Sequence, residues 1–210
     1  SQSVCALIER NDLDLSFLEF LKNHNVYLDG GMGTDLQRLG LMPGENPEKW
    51  NITHPQTIID IHRQYFDAGS NVICTNTFGA NSLKFDAEEL ESIIKAAFDN
   101  AKAARKSCGT QENKYIALDV GPTGKMLKPL GDLDFEDSVA VFAETVKLGV
   151  KYGADLVYIE TMNDAYETKA ALLAAKENCD LPVIVTNAYG DDGKLMTGAS
   201  PAAMAALLEG

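Results

Sequence analysis

Apolar and polar positions alternate between two rhythms along this chain. Short β-rich apolar runs at 26–28, 71–75, 115–119, 156–160 and 183–187 predict strands. Between them lie longer stretches with helical spacing, at 55–68, 87–107, 135–152 and 165–178, and a last one begins at Ser200–Pro201. An amphipathic helix is predicted ahead of the first strand, at 13–23. Ser200 followed by Pro201 is a good helix start, because a serine hydroxyl accepts from a free backbone N–H and the first helical position needs no donor.

Strands separated by single helices require parallel pairing, in an α/β fold that is either doubly wound or closed as a barrel. The strand ends favour the barrel. All five run into polar or glycine-rich residues, DGGMGT, TNTFGAN, DVGPTG, ETMND and NAYGDDG. An open sheet concentrates its site at one switch point, whereas a barrel gathers every strand end around one mouth. A closed (β/α)8 TIM barrel typically needs ~250 residues. The expectation is therefore a partial barrel holding about the first five strand–helix units, with residues 1–24 as a helical extension and 25–210 as the barrel. Open sheet edges in such a fragment predict self-association.

Composition narrows the class of partner. The 210 residues carry 18 Lys plus Arg against 31 Asp plus Glu, a net charge of −13 that repels nucleic acid and anionic membranes. There is no apolar run of spanning length and no basic, apolar start like a signal peptide, so the chain reads as cytoplasmic. Cys5, Cys74, Cys108 and Cys179 are scattered without a CxxC pair, which indicates neither a disulfide framework nor a zinc finger. His24, His54 and His62 fall on helices or their flanks, where solvated or capping roles are expected.

The densest chemistry is LDGGMGTDLQ, residues 28–37. It fails the G-x-G-x-x-G fingerprint at Leu36 and has no lysine for a phosphate loop, while Asp29 and Asp35 would repel phosphate. Converging N–H groups and a carboxylate suit a ligand bearing both an anion and a cation, such as an amino acid. The competing reading is a tight turn in which Asp29 caps the next helix.

LDGGMGTDLQ, NITHPQTIIDIHRQYFDAGSNVICTNTFGAN, ALDVGPTG, DLVYIETMNDAYETKAAL and the DDGKLMTGASP hairpin occur in that order. Together they resemble the homocysteine-binding domain of the homocysteine S-methyltransferases, above all the homocysteine module of the cobalamin-dependent methionine synthases. The resemblance runs from about Val26 to the end of the chain and implies a (β/α)8 barrel. It implies methyl transfer to the homocysteine thiolate to give methionine.

Carried over residue by residue, Asp29 and Glu160 match the acidic positions that hold the amino group of homocysteine, and Gly30 and Gly31 offer N–H groups to its carboxylate. Asn76, Thr77, Asp119 and Gly121 end the second and third strands and would line the mouth, as would Asn187. They equally suit strand-end capping. The family holds its substrate sulfur on zinc through three cysteines by the sixth and eighth strands, segments absent from this chain; no catalytic or metal-binding residue is assigned here. The resemblance implies L-homocysteine as ligand, zinc in the full-length family, methylcobalamin as methyl donor, and a cobalamin or folate module as partner. Two alternatives stand beside it: a non-catalytic interaction module built on an incomplete barrel, and another barrel enzyme such as an aldolase or phosphate-ligand isomerase. The latter lacks a strand-end lysine or phosphate loop.

Overall fold

The structure, a computed structural model, describes residues 15–110 and 113–209. Cys5 and the first two residues of the predicted opening helix lie outside them. Helix α1 spans Phe17–Leu21, α2 Met32–Arg38, α3 Trp50–Thr53 and α4 Pro55–Ala68. Strand β1 (Val72–Cys74) precedes α5 (Ala87–Ser107), β2 (Tyr115–Val120) precedes α6 (Phe135–Lys151), β3 (Leu156–Met162) precedes α7 (Ala165–Asn178), and β4 (Val183–Asn187) precedes α8 (Pro201–Leu208). The helix starts follow the sequence chemistry. Asp86, Asp164 and Ser200 each accept from the third backbone N–H of the helix they cap.

The four strands form one parallel sheet in the order β1-β2-β3-β4. Its two faces hold different cores. Ile73, Ile116, Leu118, Val157 and Ile159 point outward to the helices, where Phe98 and Phe142 join them. Val72, Tyr115, Ala117 and Leu156 point inward and are covered by Phe17 and Phe20 of α1. Helix α1 thus packs onto the inner face at the bottom of the sheet, with Phe17 edge-on to the Tyr115 ring at 5.5 Å and the Tyr115 hydroxyl donating to the Leu15 carbonyl. Each large aliphatic side chain fully buried this way contributes ~1.5–3 kcal/mol. Helices on one face and side-chain layers on the other make this a segment of a (β/α) barrel rather than a doubly wound sheet.

The predicted strand at 26–28 is reduced to one parallel bridge, Leu28 to Val72. Tyr27 is 62% exposed, and its carbonyl accepts from the N–H groups of Asn71 and Val72 before the chain turns away at Gly30. Two helices are absent from the elements that the apolar pattern predicts. α2 is short and lies in the glycine-rich stretch, and α3 is a single turn. Among the described residues no helix is long and apolar enough to cross a membrane.

Candidate functional site

The polar strand ends meet at the carboxyl end of the sheet. Pairing of Cys74 with Ala117 and of Asp119 with Tyr158 fixes the register, so inward-facing Asp119 and Glu160 stand diagonally adjacent above that layer. Asp29 joins them from the other side: its Oδ2 accepts the Cys74 backbone N–H at 2.9 Å. This excludes the capping role, since Gly31 is the N-cap of α2 and no side chain caps that helix. The bond to β1 instead fixes Asp29 over the inner face.

Three carboxyl groups therefore share one polar patch, and among the described residues no lysine or arginine forms an ion pair with any of them. Burial raises the Asp29 pKa to about 7, with the charge of Glu160 adding to the effect. Asp119, 6% exposed, is pushed well above the usual carboxylate range by burial and then by Glu160 and Asp29. Burial also raises Glu160, and hydrogen bonding with the neighbouring Asp119 side chain opposes that rise. A patch of this kind lowers its free energy by taking up a cation.

The backbone at Glu160 is distorted. Thr161 is in the left-handed region at φ 57°, unusual for a β-branched residue, and the β3–β4 register shifts between Ile159 and Met162. The resulting bulge re-aims the strand end, held by the Thr161 N–H donating to Thr186 Oγ1 at 3.1 Å. Such conformers typically cost roughly 1–3 kcal/mol and concentrate at functional sites.

The glycine-rich loop flanks the same patch. The N–H groups of Gly30 and Gly31 have no intrachain acceptor among the described residues. A Cβ at Gly30 would strike the Tyr65 hydroxyl, which donates to Asp35 Oδ2 at 2.8 Å, so the glycine permits a close approach. Asn76 and Thr77 are buried and already bonded. Asn76 donates to the Pro47 carbonyl at 2.8 Å, and Thr77 Oγ1 to the Asp119 carbonyl at 2.8 Å. The Asn187 amide donates to Met162 and Thr168. These three side chains brace the loops around the carboxyls. Gly121 donates its N–H to the Phe78 carbonyl, and a Cβ there would meet the Phe78 ring.

Two carboxylates that the sequence did not single out complete the frame. Glu48 is 3% exposed, accepts the Gly79 N–H at 2.8 Å and pairs with Lys84 at 3.1 Å. Glu167, also 3% exposed, accepts both the N–H and the hydroxyl of Thr123, at 2.8 and 2.6 Å. Its place three residues after Asp164 reads as a helix-capping pattern, and that local signal conceals a tertiary one.

Nothing among the described residues offers a metal cage: no group of three or more His, Cys, Asp or Glu side chains is arranged to hold an ion. Of the three described cysteines, Cys74 alone approaches the carboxyls. Burial and the neighbouring Asp29, Asp119 and Glu160 push its thiol well above its ordinary range, the reverse of what a zinc thiolate needs. Cys108 and Cys179 follow the carboxyl ends of α5 and α7, and each thiol bonds backbone carbonyls there. The histidines also lie elsewhere. His24 stacks on Phe20 and His54 on Trp50, but His62 departs from expectation: it is neither solvated nor capping but fully buried on α4, and both ring nitrogens lack partners among the described residues.

Two surface cavities, of about 470 and 570 Å³, lie away from Asp119 and Glu160; the first is lined by Asp35, Arg38 and Tyr65, the second by Leu127, Tyr166 and Met204.

The family model described as Homocysteine S-methyltransferase matches residues 26–210. The chain belongs to the homocysteine S-methyltransferase family. It is 29% identical over 217 aligned residues to a methionine synthase of Mycobacterium leprae (strain TN), a match covering 95% of this chain and 18% of that protein. The chain thus spans under a fifth of that curated relative. The barrel segment superimposes on the homocysteine methyltransferase MmuM from Escherichia coli. For the oxidized form the TM-score is 0.81 at 21% identity, over 94% of this chain and 74% of that one. For the metallated form it is 0.77 at 22% identity, over 91% and 73%. The fold is that of homocysteine S-methyltransferase barrels, and membership in the family sets aside the aldolase and phosphate-isomerase readings.

Proposed function

We propose that this chain is the homocysteine-binding part of a zinc-dependent homocysteine S-methyltransferase, holding L-homocysteine at the carboxyl ends of its strands for transfer of a methyl group to sulfur, which gives methionine. The observation that carries the reading is the set of three carboxyls, Asp29, Asp119 and Glu160, converging without a protein cation. An α-ammonium group supplies the missing charge. Asp29 and Glu160 receive its N–H groups, and the free N–H groups of Gly30 and Gly31 receive the α-carboxylate. Asn76 and Thr77 keep that wall in place through the Pro47 and Asp119 carbonyls.

A substrate thiol reacts as its thiolate, and zinc bound in the full-length family supplies that activation. The residues described do not fit zinc, for the reasons given by Cys74, Cys108 and Cys179, so binding and orientation are the steps assigned to this chain and catalysis by residues 1–210 alone is not expected. By relation to a methionine synthase, the methyl group comes from methylcobalamin on a cobalamin module or from a folate module. Calorimetry tests the binding step. L-homocysteine is expected to bind, and its analogue lacking the amine, 4-mercaptobutanoate, to bind at least about 30-fold more weakly, since an unpaired buried charge costs ~2–5 kcal/mol. Equal affinity for the two compounds overturns the reading.

A further inference from the structure

We infer that Asp119 is a positioning residue that acts through Glu160: its carboxyl donates a hydrogen bond to Glu160 and aims that side chain at the amino group of the substrate. The inference rests on the proposed homocysteine site and deepens it, because it separates the three carboxyls into two that receive the ammonium and one that holds its neighbour.

Asp119 lies on β2 between the other two carboxyls and is boxed in by its strand. Thr77 Oγ1 donates to its carbonyl at 2.8 Å and its N–H donates to Thr75 Oγ1 at 3.3 Å, while the two threonine hydroxyls are 2.8 Å apart. Asp119 is only 6% exposed, and its Oδ1 has no hydrogen-bond partner among the described residues. An ionised carboxylate with an unbonded buried oxygen is costly, whereas a neutral acid leaves only an unpaired carbonyl-type oxygen. The groups facing it have the same sense. Glu160 stands on β3, Cys74 at the end of β1, Asp29 beside it, and Glu48 ahead of α3; each acidic neighbour disfavours a second charge at Asp119. The proton therefore stays on Asp119, and the less buried Glu160 carries the charge. The Thr161 bulge turns the end of β3 just beyond Glu160, so the hydrogen bond from Asp119 fixes a side chain whose own backbone is irregular. In this arrangement Asp119 does not touch substrate.

Two measurements test this. The first is a carboxyl-carbon NMR titration of the ligand-free protein, with Asp119→Asn and Glu160→Gln used to assign the signals. Asp119 is expected to remain protonated at pH 7 while Glu160 is ionised; an ionised Asp119 at pH 7 overturns the inference. The second is L-homocysteine affinity against pH. Asp119→Asn keeps an N–H donor facing Glu160 and is expected to bind within about threefold of the parent. Asp119→Ala removes the bond to the charged form of Glu160, so the acid limb of the binding profile moves to higher pH and affinity near pH 6 falls about 10-fold. Equal losses in both variants, or an acid limb that moves in neither, overturn it. If the parent protein binds no homocysteine, the proposed function fails, and the titration still decides whether Asp119 holds Glu160.

Discussion

Replacing Asp29 by Asn should stabilise the ligand-free protein, and by an amount that depends on pH. Asp29 is partly buried, and its pKa is raised from 3.8 to about 7. Between those values the folded chain holds a proton that the unfolded chain has released, so stability falls as pH rises through that window and is level above it. At 1.36 kcal/mol for each tenfold change, the ionised side chain costs the fold roughly 4 kcal/mol above pH 7. Residual solvent contact reduces the expected effect to about 1–3 kcal/mol. Asn keeps an oxygen for the Cys74 N–H, the bond made at 2.9 Å, and cannot ionise. Urea unfolding followed by circular dichroism at pH 5 and pH 8 measures the difference. Asp29→Asn should gain about 1–3 kcal/mol more over the parent at pH 8 than at pH 5. The stabilised variant should lose the protection that homocysteine gives the parent. A stability difference that is independent of pH, or larger at pH 5, would refute the reasoning that burial of this carboxyl is maintained for a ligand.

Two further changes probe the frame around the site. Burial lowers the His62 pKa from 6.5 to about 3, so the parent loses stability as pH falls through that range; His62→Leu should remove about 2 kcal/mol of that loss at pH 5, read as a higher urea midpoint relative to pH 7. Gly149 lets α6 approach β2, and a Cβ there would lie 2.5 Å from Leu118 Cδ2; Gly149→Ala should lower the melting temperature by several degrees, an overpacking cost of about 1–3 kcal/mol that exceeds the helix-propensity gain, and a stabilised variant would contradict it.

The barrel segment was legible because its determinants are local. Runs such as YIALDV and LVYIETM are apolar on the faces that meet helices and α1, and they form β2 and β3 as predicted. The four long helices start where the spacing places them. The strand at 26–28 misled for a physical reason: an apolar trio suits a strand, but the turn at Gly30 leaves room for only one bridge. Helix α2 was hidden by glycines that depress helix propensity. Glu48 carries no local signature at all, since its partners Gly79 and Lys84 lie more than thirty residues away.

What the sequence determined by itself is the order of strands and helices, the polarity of the strand ends and, through its motifs, the family. Those follow from the period of side chains along a strand or helix, which neighbouring residues set. Only the tertiary structure decided what each polar residue does. Asp29 bonds β1 instead of capping α2, Thr77 holds a carbonyl, and Asp119 is buried against Glu160. Desolvation and charge coupling arise only where residues as far apart as 29, 119 and 160 are brought into one patch, and no stretch of sequence contains that distance.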